Sequence, residues 1–148
     1  MTRSMVCVDA SLVVALLIPE RFTSHVMASW RRWVIDDWQV IAPMLISYEV
    51  TSALYRKTLQ GLISSADSRA ALQQFLALDI QKIDTPNMPL RATQLAEELM
   101  RPNTYDMYYL ALAEEMNCPF WTADERLYNT ARKHFPLVHW TGVQPANT

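Results

Sequence analysis

Apolar positions along the chain follow two rhythms: short unbroken runs of a few residues, and longer stretches where they recur every three or four positions. Met5–Val8 does not alternate with polar residues, the pattern of a strand buried on both faces. Ser11–Ile18 follows as a helix stopped by Pro19. Ser24–Asp36 predicts a second helix and Val40–Ala42 a short strand ahead of Pro43. Leu45–Gln60 predicts a long helix, with Gly61 where a left-handed cap belongs. Ala66–Leu78 predicts a helix, Ile80–Ile83 a strand, and Leu90–Met100 a helix ended by Pro102. Tyr105–Met116 (helix), Phe120–Thr122 (strand), Asp124–His134 (helix) and Leu137–Trp140 (strand) complete the order. Strands separated by helical crossovers imply a parallel sheet with helices on both faces. Ligands bind such sheets outside the carboxyl ends of the strands, where strand order reverses.

Composition narrows this picture. The 148 residues suit one core and carry no repeat, low-complexity tract or linker, so one domain over residues 1–148 is expected. With 51% hydrophobic and 19% charged residues the chain is globular rather than disordered. No apolar run approaches the roughly 20 residues of a membrane span. The run after Met5 lacks a basic flank and a small-residue cleavage site, so a cytoplasmic protein with no membrane partner is expected. Cys7 and Cys118 lie in apolar surroundings and read as buried thiols. Glycine occurs only at Gly61 and Gly142, which excludes Gly-rich phosphate loops and the G-x-S-x-G nucleophile elbow. A formal net charge of −2 does not advertise a general nucleic-acid binder. The small basic groups, such as Arg56 with Lys57, read first as solvated helix faces.

Four acids stand out by their settings. Asp9 leaves the first strand directly, and either Asp9 or Ser11 caps the next helix, or Asp9 has a charged task. Asp124 leaves the strand ending at Thr122, where Thr122–Ala123–Asp124–Glu125 fits a capping box with Thr122 as the cap. Glu49 projects from a mostly apolar helix face with no basic residue three or four positions away. Asp106 opens a helix whose other face is apolar, capped by Asn103 or Thr104. Trp30, Trp33 and Trp38, and Tyr105, Tyr108 and Tyr109, read first as core. A partner groove for the tryptophans and base stacking for the tyrosines are the sharper alternatives.

The segments VCVDASLVVALL, PMLISYEVTSALYR, TYDMYYLALAEEMNCPFWTADERL and PLVHW, in this order, resemble the PIN-domain family. The third is the most specific: an acid opening an Ala-rich helix, then a strand, then T-x-D and another helix. The resemblance implies a three-layer α/β/α fold around a parallel sheet of order 3-2-1-4-5. It implies that Asp9, Glu49, Asp106 and Asp124 hold Mg²⁺ or Mn²⁺; since Mg²⁺ takes one or two carboxylates and keeps several waters, Asp9 and Asp106 are expected as direct ligands and Glu49 and Asp124 as ligands or orienters of water. Thr122 matches the polar residue supporting the last acid, and Ser11 the hydroxyl residue after the first. Met107 departs from the small residue usual after the third acid. The activity implied is metal-dependent RNA hydrolysis by a VapC-type toxin held by a cognate antitoxin, often as a homodimer. A non-catalytic PIN-like module that binds RNA or protein is the alternative. A haloacid-dehalogenase-type phosphatase wants D-x-D after the first strand, where this chain has Asp9–Ala10–Ser11.

Overall fold

The structure is a computed structural model describing residues 3–142. Its elements run β1 (Met5–Val8), α1 (Ala10–Leu17), α2 (Thr23–Ile35), β2 (Gln39–Ala42), α3 (Leu45–Leu59), α4 (Ser65–Ala77) and β3 (Ile80–Lys82). Then follow α5 (Met88–Glu98), α6 (Tyr105–Met116), β4 (Phe120–Thr122), α7 (Glu125–Ala131) and β5 (Val138–Trp140). The five strands pair in parallel in the order β3-β2-β1-β4-β5. Every element expected from the hydrophobic pattern is present, in order and type.

Local chemistry explains the boundaries. At the end of α3, Gly61 takes φ +73°, the Leu62 amide donates to the Lys57 carbonyl and the Gly61 amide to that of Thr58. That pair of bonds is a Schellman ending, and a left-handed residue is required for it. Helix α5 begins two residues before the expected Leu90, because Pro89 fits the first turn, where its missing N–H costs nothing. Helix α4 starts at Ser65, with Ser64 accepting from the Asp67 amide. Helix α7 ends at Ala131, short of the expected His134.

Helices cover both faces of the sheet. Successive strand residues point to opposite faces. Trp121 of β4 meets Trp33 of α2 edge-on at 6.0 Å, and its neighbour Phe120 stacks on Tyr109 of α6 at 6.3 Å. Strand β1 is central in the sheet, and Val6, Cys7 and Val8 have no exposed surface; Ile41 and Ala42 of β2 and Phe120 of β4, on either side, are equally enclosed. Trp33 is buried, and Trp30 and Trp38 pack against the same core, which supports the core reading of the tryptophans. Cys7 and Cys118 are both buried and free. Among the described residues no helix is long and apolar enough to cross a membrane.

The chain leaves β1 toward β2 and leaves β4 toward β5, so strand order reverses between β1 and β4. The register sets Val8 beside Trp121, and the next residues along, Asp9 and Thr122, therefore emerge side by side.

An added Cβ at Gly61 meets nothing within 4 Å, so the backbone conformation alone sets the cost of a side chain there. Gly61→Ala is expected to lower stability by about 1 kcal/mol in urea titration. An unchanged midpoint would contradict the left-handed cap.

Candidate active site

Asp9 closes β1 and starts α1. Its Oδ1 accepts the Leu12 amide at 3.0 Å and the Ser11 hydroxyl at 2.7 Å. Its Oδ2 accepts the Thr122 hydroxyl at 2.5 Å. The carboxyl is thus both the helix cap and a group aimed across the strand ends, and the two readings of Asp9 are compatible. Ser11 is not the cap; it also accepts the Ala123 amide at 3.1 Å. Thr122 is fully buried behind the acids, and its Oγ1 accepts the Asp124 amide at 3.0 Å. One threonine therefore ties the carboxyl of Asp9 to the backbone of Asp124.

The expected capping box is corrected. Asp124, not Thr122, is the cap of α7, and Asp124 Oδ1 accepts the Leu127 amide at 3.1 Å. Thr122 cannot serve because it is still in the strand and its hydroxyl is committed to Asp9.

Glu49 lies one turn into α3, half-buried. Its Oε1 accepts the Tyr109 hydroxyl at 2.5 Å. Asp106 stands in the first turn of α6, where a carboxylate is favoured by the helix dipole. Its Oδ2 pairs with Arg101 at 2.9 Å, and the Tyr105 amide at the helix start is capped by Asn103 Oδ1 at 3.1 Å.

Asp9, Glu49, Asp106 and Asp124 all line one cleft of about 860 Å³ at the carboxyl edge of the sheet. They do not form a tight knot: among the described residues, no three His, Cys, Asp or Glu side chains converge closely enough to enclose a metal ion. Each nevertheless keeps accepting capacity. Glu49, Asp106 and Asp124 each leave one oxygen with no partner among the described residues. Asp9 receives three donors for about four lone-pair positions.

Burial raises the Asp9 carboxyl from 3.8 to about 7; the Thr122, Ser11 and Leu12 bonds oppose this, and the Asp106 charge adds to it. Burial also raises Glu49, against the Tyr109 hydrogen bond and with a contribution from Asp106. Upward shifts on neighbouring carboxyls are what an uncompensated anionic site produces.

Two partners were not apparent from the sequence. Tyr109 is buried as expected of a core residue, yet its hydroxyl holds Glu49. Its place three residues after Asp106 was the available signal, since that spacing shares a helix face. Arg101 lies in the connection before α6, where no periodicity links it to Asp106. The pair Arg56 and Lys57 divides: Arg56 lines the cleft, and Lys57 bridges to Glu20 at 2.7 Å.

A PIN domain profile matches residues 6–133, and the chain belongs to the PIN domain family. Ribonuclease VapC9 of Mycobacterium tuberculosis (strain ATCC 25618 / H37Rv) is 31% identical over 134 residues, 90% of this chain and 97% of the relative. Ribonuclease VapC1 of the same strain is 31% identical over 121 residues, 81% of this chain and 86% of the relative. Among solved structures, VapBC2 from Rickettsia felis, bound to a DNA fragment from its promoter, is similar with TM-score 0.66 at 11% identity, covering 91% of this chain and 97% of that one. PAE2754 from Pyrobaculum aerophilum is similar with TM-score 0.63 at 21% identity, covering 87% of each chain. At those identities the structural likenesses establish the fold.

The upward shift of Asp9 has a definite sign for stability. Below pH 3.8 the carboxyl is protonated in the folded and the unfolded chain alike, and the shift costs nothing. As pH rises toward about 7 the unfolded chain ionises first, so stability falls, by about 4 kcal/mol in all at 1.36 kcal/mol per unit. In a chelating buffer Asp9→Asn is expected to flatten the fall between pH 4 and 7 and to be the more stable protein at pH 8. Parallel pH profiles of the two proteins in urea titration would contradict the burial of this charge.

Proposed function

We propose that this protein is a metal-dependent endoribonuclease, the toxin of a type II toxin–antitoxin pair. The observation that carries the reading is that four carboxylates from four separate parts of the chain line one cleft, each with unused acceptor capacity. Full-length similarity to VapC ribonucleases supports it. The toxin–antitoxin complexes among its structural neighbours support a cognate antitoxin as partner, and a homodimer is part of the same reading.

The donor set fits a hard divalent cation, Mg²⁺ or Mn²⁺. All the donors are oxygens, and the Asp9 carboxyl is buried without a cationic partner. The loose spacing suits an ion that keeps several waters and takes one or two carboxylates directly. Asp9 and Asp106 would hold it directly, and Glu49 and Asp124 directly or through water. When bound, the ion supplies an acidified water and charge stabilisation on the phosphate.

The chain's own groups prepare this chemistry. Thr122 and Ser11 fix the Asp9 carboxyl in one orientation. Tyr109 fixes one oxygen of Glu49 and leaves the other free to orient an attacking water or accept its proton. The raised proton affinity of Glu49 suits that role. Arg101 offsets part of the charge on Asp106 and engages Oδ2, leaving Oδ1 without a partner among the described residues. A non-catalytic binding module would have no use for carboxyls that repel one another.

RNA, single-stranded and structured, is expected to be cleaved with Mn²⁺ or Mg²⁺ and left intact with EDTA. Asp9→Asn and Asp106→Asn should each lose roughly a hundredfold or more in rate. At a hundredfold excess over Kd, the cation should stabilise the wild type by about 2.7 kcal/mol and Asp106→Asn far less. Cleavage that survives both EDTA and Asp9→Asn would refute the site, and equal stabilisation of both proteins would refute Asp106 as a ligand.

A further inference from the structure

The cleft contains more than acids. One face of α3, formed by Leu45, Tyr48, Glu49, Ser52, Ala53 and Arg56, runs along it at helical spacing. Helix α6 contributes Tyr105, Asp106 and Tyr109. In both helices a tyrosine immediately precedes the acid: Tyr48 before Glu49 and Tyr105 before Asp106. Unlike Tyr109, these two are open to solvent, at 70% and 56% exposure. Neither hydroxyl has a hydrogen-bond partner among the described residues, so neither ring is held by the fold as that of Tyr109 is. Arg21, packed over the Phe22 ring at 4.9 Å, and Arg56 add two cations to the same lining.

Exposed aromatic rings and cations beside a group of phosphodiester-cleaving acids match one ligand chemistry. Unpaired bases stack on aromatic rings with little regard to sequence, and guanidinium groups pair with backbone phosphates. We infer that Tyr48 and Tyr105 are stacking platforms for unpaired bases on an RNA strand lying in the cleft, with Arg21 and Arg56 pairing its phosphates. The inference rests on the ribonuclease reading and names how that site grips its substrate. A duplex cannot use the platforms, because its bases are already stacked on one another. Selection for unpaired RNA follows from the rings themselves, with no base-edge hydrogen bonds required.

The test is binding of two fluorescent strands of equal length in EDTA, one a mixed-sequence single-stranded RNA and the other an abasic ribose-phosphate strand. The wild type should bind the base-bearing strand more tightly. Tyr48→Ala and Tyr105→Ala should each weaken that binding by roughly tenfold and leave the abasic strand unaffected. Tyr48→Phe and Tyr105→Phe should restore it, since the ring and not the hydroxyl stacks. Arg21→Ala and Arg56→Ala should weaken both strands and each lower the salt dependence by about one ion. Thermal melts of the tyrosine variants should match the wild type, because both side chains are exposed. The inference is overturned if the alanine variants weaken both strands equally or neither. It is also overturned if phenylalanine fails to rescue, or if the variants lose only self-association in sedimentation. Absence of RNA cleavage by the wild type with Mn²⁺ would refute the ribonuclease reading, whereas cleavage with tyrosine-independent binding refutes only the stacking.

Discussion

The molecule is organised around a carboxyl buried at the end of its central strand. Asp9 is 5% exposed and has three donors but no cation to neutralise it. Those donors come from two parts of the chain: Ser11 and Leu12 next in sequence, and Thr122 from the adjacent strand. The Asp9 contact is therefore one of the bonds that fasten β4 to β1 at the edge where the cleft opens. Hydrogen bonds to a buried carboxyl lower its proton affinity, yet here burial outweighs them. The residue is held in place by its bonds and made costly by its surroundings, and the cation proposed for the cleft would relieve that cost.

The remaining acids follow a related arrangement. Glu49 is held by Tyr109, Asp106 by Arg101, and Asp124 by the first turn of its own helix. In each case one oxygen is fixed and the other has no partner among the described residues. Two of the partners are anchored outside their acid's own element or turn: Tyr109 of α6 is stacked on Phe120 in the core, and Arg101 belongs to the connection between α5 and α6. Core packing thus sets the orientation of Glu49, while a loop arginine and a helix amide set those of Asp106 and Asp124.

Periodicity made nearly all of the secondary structure legible, because most elements are short apolar runs or amphipathic helices bounded by Pro, Gly or a capping side chain. Two of the misreadings arose where the cue had two uses. Pro89 reads as a break but is tolerated in a first turn. Thr122 reads as a cap but is still in a strand. Strand order was not in the periodicity at all; it came with the family resemblance, since nothing local in a strand names its neighbours. The acids could be identified because each stands where an apolar pattern breaks. Their partners could not. The Tyr109 ring fits a core position so well that its hydroxyl draws no notice, and Arg101 reaches Asp106 through a loop whose path only the folded chain defines.

For Asp9, Asp106 and Asp124, a stabilising place at a helix start and the proposed chemistry are compatible rather than rival explanations. A helix following directly on a parallel strand places its N-terminus at the sheet's carboxyl edge, and that N-terminus favours a carboxylate through its free amides and its dipole. Asp9 and Asp124 each cap the helix after their strand, and Asp106 stands in a first turn. The fold thus collects acids at this edge for reasons of local stability alone. Glu49, one turn inside α3, has no such reason to be there, and it needs a tyrosine from another helix to hold it. Of the four, Glu49 is the residue whose presence local folding does not explain, and it is the one on which the proposed chemistry of the cleft bears most directly.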